Sequence, residues 1–386
     1  MIETTLSQLT LSITDGKHGD CQSDENSGYY FISCKDIKDG VINYENARQI
    51  TEQDFIETHK RTMLEPNDIL VTNSGTIGRM SFVKDVPLTY RTTFQKSVAI
   101  VKPDANKVLP KYLYYLLQYC VDDFINQSNG SAQKNLLLST MRSFKIKYNS
   151  DKEKQKNLVD ILSAYDDLIE NNQKQIKLLE EAAQRLYKEW FVDLRFPGYE
   201  TTPIIDGVPE GWKQEPIDEV YSIKYGKNLP TTEISEAGKY PVYGANGVIG
   251  YYHKFNCDSY VTLITSRGNG SGDVSRTHHS NSFVTNNSFI VIPQQTHNFI
   301  SNEFTYWLMK YTDFKSVCTG SAQPQLTNNS ISTLKVLIPT KKLILCFCEI
   351  TRMYFENVEK LLRQNRLLIE ARDRLLPKLM NGELEV

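Results

Sequence analysis

The chain has almost no excess charge of either sign: 44 Lys and Arg face 46 Asp and Glu, leaving −2 at neutral pH over 386 residues. That excludes a histone-like or tail-type nucleic-acid binder, which is basic throughout, but not a local basic face. Long hydrophobic runs are missing too. Nothing approaches the ~18 apolar residues of a membrane span, and Met1-Ile-Glu-Thr-Thr5 lacks the basic-then-apolar pattern of a signal peptide, so a cytoplasmic protein with no membrane partner is expected. The seven cysteines (21, 34, 120, 257, 318, 346 and 348) form no Cys-x-x-Cys, and none of the six histidines stands at zinc-finger spacing from a cysteine pair. Reduced, mostly buried thiols and no metal are expected. Catalytic signatures are scarce. There is no Walker A sequence, no Asn-Pro-Pro-aromatic or Asp-Pro-Pro-Tyr, and no His-Glu-x-x-His. Asp36-Ile-Lys38 and Asp313-Phe-Lys315 carry the acid-x-Lys pattern of some nucleases, which chance produces in any chain of this charge content. Gly244-Ala-Asn-Gly247 and Gly268-Asn-Gly270 lack the following helix of a phosphate loop and read as turns.

With 40% hydrophobic and 23% charged residues the chain is globular, and its length fits two or three domains. It also repeats itself. Asn129-Gly-Ser-Ala-Gln133 recurs as Thr319-Gly-Ser-Ala-Gln323, an offset of 190. The aromatic run 111–119 matches 303–311, Asn73-Ser-Gly-Thr-Ile-Gly78 matches 266–272, and Glu181-Ala-Ala-Gln-Arg-Leu186 matches Glu370-Ala-Arg-Asp-Arg-Leu375. Each repeat opens with β-rich runs such as 68–72, 97–101, 260–265 and 288–293, punctuated by Gly, Asn, Asp and Ser. Each closes with a long helix. An α+β plan follows: a first domain over 1–149, a helix over 150–195, a second domain over 196–340, and a helix with a short tail over 341–386. Ser150-Asp-Lys-Glu153 reads as a capping box, Phe196-Pro197-Gly198 as a stop, and Asn381-Gly382 as the end of the second helix.

Apolar residues on both helices step by four and three. Leu158, Leu162, Tyr165, Ile169, Asn172, Ile176, Leu179, Ala183, Leu186 and Trp190 form one series; Tyr354, Val358, Leu361, Asn365, Leu368, Arg372, Leu375 and Leu379 form the other. A 3.5-residue repeat held over four heptads is a coiled-coil seam, and the simplest arrangement pairs the two helices antiparallel. If Leu158 faces Leu379, paired numbers sum to 537, so Ile176 faces Leu361 and Asn172 faces Asn365, two amides able to fix the register. The first seam is 32 residues long, roughly 48 Å at 1.5 Å per residue.

Four segments stand in this order along the chain: Pro209-Glu-Gly-Trp-Lys213, Tyr243-Gly-Ala-Asn-Gly247 followed by Ile249-Gly-Tyr251, Gly320-Ser-Ala-Gln-Pro-Gln-Leu326, and the ending Leu375-Leu-Pro-Lys-Leu-Met-Asn-Gly-Glu-Leu384. Together they resemble a known family, the specificity (S) subunits of type I restriction-modification enzymes. The resemblance spans essentially the whole chain, although the first repeat lacks the Pro-x-Gly-Trp lead-in of the second. It implies two target-recognition domains separated by two antiparallel helices, in a non-catalytic subunit that reads a bipartite duplex DNA target. It implies two methyltransferase (modification) subunits as partners, and motor-nuclease (restriction) subunits reached through them. No cofactor is expected on this chain, since S-adenosylmethionine belongs to the methyltransferase. With DNA rising ~3.4 Å per base pair, the helix length implies half-sites about 10 to 15 base pairs apart.

Charge placement points the same way. Residues 1–85 hold eight basic and 14 acidic residues, 86–150 hold nine and three, and 222–340 hold nine and six. A basic second half in each domain is what phosphate neutralisation needs. The candidate contacts are polar side chains near Gly-rich loops: Asn73, Ser74, Thr76, Arg79, Arg91, Thr92, Gln95, Lys96, Ser131, Gln133 and Lys134, then Tyr243, Asn246, Ser266, Arg267, Asn269, Ser271, Asn286, Asn287, Ser321, Gln323 and Gln325. Arg reads guanine and Asn or Gln reads adenine with two hydrogen bonds each; Ser, Thr and Lys mostly grip phosphate. Gly75, Gly78, Gly268 and Gly320 read as backbone enablers. Three rivals remain: a fused nuclease or methyltransferase, a coiled-coil protein whose β-rich domains bind proteins, and a specificity protein acting without a motor-nuclease subunit.

Overall fold

The computed structural model describes residues 1–38, 40–128, 135–320 and 323–385. Two compact units divide the chain: Met1–Ile169 with Leu367–Val386, and Glu170–Arg366. The unit boundaries cut both long helices, so each unit contains one β-rich domain and a segment of each helix.

The two domains share one topology. The first has a four-stranded antiparallel sheet in which Thr10–Asp15, Val98–Pro103, Ile69–Thr72 and Met80–Phe82 lie side by side in that order. The second places Tyr221–Tyr225, Ser288–Pro293, Thr262–Thr265 and Val274–Arg276 in the equivalent order. Each has a parallel pair, Tyr30–Ile32 with Thr92–Phe94 and Tyr240–Gly244 with Phe283–Val284. Each closes the domain with a pairing of its ends, Ile2–Thr5 with Lys145–Tyr148 and Lys213–Pro216 with Lys335–Ile338. The aromatic helices Pro110–Tyr119 and Asn302–Tyr311 fill the two cores, each carrying an apolar face built by its sequence. Ile69–Thr72 and Thr262–Thr265 are buried along their whole length, which is why neither shows the polar–apolar alternation of a half-exposed strand.

The first long helix spans Lys152–Tyr187 and finishes in a π-turn, Lys188–Val192; the second spans Lys341–Met380. Its cap differs from the capping box expected at Ser150. The Asp151 carboxylate accepts from Glu153 N–H (2.9 Å), while Asn149 Oδ1 accepts from Asp151 N–H (3.0 Å). Gln155, fully buried, bridges the same turn by donating to the Asn149 carbonyl and accepting from Leu109 N–H. This local network moves the cap one residue along. Every predicted seam residue is buried or half-buried. In the first unit Leu158, Leu162, Leu375 and Leu379 belong to one apolar cluster. In the second, Asn172 Nδ2 donates to Asn365 Oδ1 at 2.9 Å, and each amide is 7% exposed. This is the antiparallel pairing whose numbers sum to 537.

Each unit fastens its domain to the helices through a cation, but from opposite partners. In the first, the Asp166 carboxylate accepts from Arg372 Nη1 (2.8 Å) and the Tyr115 hydroxyl (2.6 Å). Lys111 approaches it to 3.5 Å while lying over the Phe82 and Tyr114 rings, and burial pulls the Lys111 pKa down. In the second, Arg276 on a sheet strand pairs with Glu180 (3.2 Å) and lies 4.3 Å from the Phe355 ring. All seven thiols are free and four are buried, as expected of most of them; Cys34 and Cys318 are half-buried and Cys346 is exposed on the second helix. No helix among the described residues is long and apolar enough to cross a membrane.

Candidate nucleic-acid interface

In both domains the loop after a buried strand is folded by the same main-chain bonds. Asn73 N–H donates to the Ser97 carbonyl (3.1 Å), and Leu136 N–H donates to the Asn73 carbonyl (2.8 Å). Ser266 N–H donates to the Asn287 carbonyl (2.9 Å), and Leu326 N–H donates to the Ser266 carbonyl (2.9 Å). Ser74 then bridges to Asn135, and Arg267 to Gln325. Gly75 and Gly268 follow with φ of 75° and 89°, a left-handed turn that glycine enters without strain. A second bridge, Lys17 with Gln95 and Lys227 with Thr285, ties the next loop alongside.

In the first domain these loops enclose a polar cleft of about 650 Å³, lined by Asn73, Ser74, Gln95 and Lys96 from the predicted set. Lys17, His18 and Asn135 line it too and were missed; the Gly16-Lys-His-Gly19 turn was their only sequence signal. Lys17 is already engaged by Asp54 (3.3 Å) and Glu57 (3.8 Å), and His18 by Asp15 (2.8 Å). Lys96 is exposed and makes no ion pair among the described residues. Arg91, exposed and 5.9 Å from the Tyr29 ring, and Thr76, exposed, lie outside the cleft lining. Arg79 is half-buried and turned elsewhere, lining a separate hollow with Arg372 and donating to the Ile37 carbonyl (3.4 Å). In the second domain Asn246, Arg267, Asn269, Asn287 and Gln323 are exposed, while Asn286 and Gln325 are half-buried. Thr265 Oγ1 donates to the Ala245 carbonyl (2.8 Å), joining the Asn246 turn to the Arg267 loop. Gly244-Ala-Asn-Gly247 is a hairpin turn between two paired strands.

Five candidates differ from the exposure expected of them. Asn73, Thr92, Tyr243, Ser266 and Ser271 are buried, at 4%, 0%, 3%, 0% and 3% exposure; of these, Asn73 lines the cleft and the other four do not. Thr92 Oγ1 donates to the Leu88 carbonyl, Ser266 to the Asn286 carbonyl and Ser271 to the Ser266 carbonyl. The Tyr243 hydroxyl accepts from His278 N–H (2.8 Å), and burial pushes its pKa up. Polar type alone does not say which way a loop residue turns. Ser131, Gln133, Lys134 and Ser321 lie outside the described residues.

The chain thus consists of two repeated domains with exposed Arg, Lys and Asn on their loops, each packed on segments of the paired helices. Residues 20–181 and 209–344 match the family described as type I restriction modification DNA specificity domain, and the chain belongs to that family. It is 28% identical to the type I restriction enzyme MjaIX specificity subunit of Methanocaldococcus jannaschii, over 92% of this chain and 87% of that one. The type I restriction enzyme HindI specificity subunit of Haemophilus influenzae is 23% identical, over 74% of this chain and 80% of that one. In fold it resembles the crystal structure of the type I restriction-modification S subunit from M. genitalium, with a TM-score of 0.52 at 19% identity, covering 98% of this chain and 96% of that one.

Proposed function

We propose that the chain reads a bipartite duplex DNA target, one half-site per domain, and has no active site of its own. It docks two methyltransferase subunits, which bind S-adenosylmethionine and methylate adenine, and through them motor-nuclease subunits. The observation that carries this is the shared topology of the two domains combined with their different loop side chains, Asn73-Ser74 against Ser266-Arg267, on one backbone frame. Equivalent loop frames with unlike side chains suit two unlike half-sites. Base edges would meet the loops, and cations such as Lys96 and Arg267, which make no ion pair among the described residues, would meet phosphates.

The test is a domain exchange. Residues 1–149 are replaced by the matching domain of a relative, the chimaera is expressed with its methyltransferase, and methylated sites are sequenced. One half-site changes, while the other half-site and the gap stay. Coupled changes in both halves, or a continuous target, would refute the reading.

A further inference from the structure

Asn73 lines the cleft of the first domain, yet its side chain is 4% exposed and Oδ1 has no hydrogen-bond partner among the described residues. A buried acceptor left unpaired is costly, because its water has been removed and nothing replaces it. The backbone does not require this. Ser266 holds the same place in the second domain, with the same two main-chain hydrogen bonds, and its hydroxyl donates to the Asn286 carbonyl at 3.2 Å. In that domain an unpaired group falls instead at the Thr285 hydroxyl, on the counterpart of the Gln95 bridge. The unpaired atom therefore falls at different positions of the two equivalent loop frames.

The cleft is far larger than one water's ~30 Å³ requires. Of its basic side chains, Lys17 and His18 are engaged by carboxylates, whereas Lys96 is not paired among the described residues. We infer that this cleft is the base-reading site of the first domain, and that Asn73 Oδ1 is satisfied by the exocyclic amino group of a base, adenine N6 or cytosine N4, while Lys96 takes a flanking phosphate. The inference rests on the DNA-reading role proposed above. In the major groove only adenine and cytosine offer an amino donor; guanine O6 and thymine O4 present acceptors that an amide oxygen repels. Where a site is built around a buried polar group, a partner lacking the complement is rejected strongly. A rotamer change turns the amide outward, a rearrangement common on binding.

The experiment uses the chain complexed with its methyltransferase and the target found by sequencing methylated sites. Duplexes are made in which each first-half-site adenine is replaced by purine, or each cytosine by 2-pyrimidinone, removing one amino group at a time. Wild type loses about 10- to 100-fold in affinity at one position. In Asn73→Ser that loss shrinks to within about threefold, and in the isosteric Asn73→Asp, which keeps the acceptor, it persists. Lys96→Ala weakens all duplexes equally. The inference is overturned if no amino deletion in the first half-site costs wild-type affinity, a result that needs no variant to fold, or if the loss survives in full in Asn73→Ser. Wild-type complex that binds the intact target no better than random duplex would instead overturn the DNA-reading role itself.

Discussion

Asn172 and Asn365 put two amides into a seam that is otherwise mostly apolar, and each covers the other. Changing either to Ala removes this buried amide–amide hydrogen bond, which costs about 1–3 kcal/mol. Changing both to Leu restores an apolar seam, so the double variant recovers most of that stability while losing the feature that selects the register. Urea midpoints of the two single variants and the double variant check this: a double-variant loss equal to the sum of the two single losses would show that the amides are not coupled. His278 is a different case. Burial, with Arg276 and His279 nearby, pushes its pKa down to about 4, against ~6.5 when unfolded. As pH falls the unfolded chain takes up this proton first, so the contribution is complete above about pH 6.5, declines toward about pH 4 and is flat below. Stability should drop on the order of 1–2 kcal/mol from pH 7 to 5 through this group, and His278→Asn should flatten that slope in urea titrations. At this scale the sequence was a partial guide. The Asn pair was legible because heptad spacing fixes which residues meet. The burial of Asn73, Thr92, Tyr243, Ser266 and Ser271 was not, because it depends on main-chain bonds to partners distant in sequence.

A helix start is decided by which side chain reaches the free N–H groups of the first turn. Here that is Asp151, supported by Asn149 and Gln155, although Ser150 and Glu153 carry a capping-box spacing. Asp151→Ala should therefore cost about 1 kcal/mol, whereas Ser150→Ala should change stability by less than about 0.5 kcal/mol. Thermal melts of the two variants decide the matter; the reverse order would restore Ser150 as the cap. The two cation joints follow a related logic. Asp166, Arg372, Tyr115 and Lys111 in one unit, and Arg276, Glu180 and Phe355 in the other, hold a domain to the helices with unlike chemistry at repeated positions. Removing one member would leave a half-buried charge without its partner, so such joints tolerate paired change better than single change. The long helices, the sheet strands and the repeat could be read from periodicity. The parallel pairs Tyr30–Ile32 with Thr92–Phe94 and Tyr240–Gly244 with Phe283–Val284 could not, since partners about 40 to 60 residues apart leave no local pattern.

Over the whole molecule a net charge of −2 must coexist with DNA binding, so affinity depends on a few cations that no carboxylate neutralises. Lys96 in one domain and Arg267 in the other are exposed and make no ion pair among the described residues, unlike Lys17 or Arg276. Each phosphate contact releases condensed counterions, giving a slope of about −0.9 in log affinity against log salt. Lys96→Ala with Arg267→Ala should then reduce the slope magnitude by about 1.8, provided both meet phosphates. Lys17→Ala should leave the slope nearly unchanged, because Asp54 and Glu57 already balance that charge. Phosphate contacts carry no sequence information, so the methylated motif should stay the same in the double variant while binding weakens across all sequences. Fluorescence anisotropy from 50 to 300 mM salt on target and random duplexes separates the outcomes. A changed motif would move these cations to the base edges; an unchanged slope would place the phosphate contacts elsewhere on the two domains.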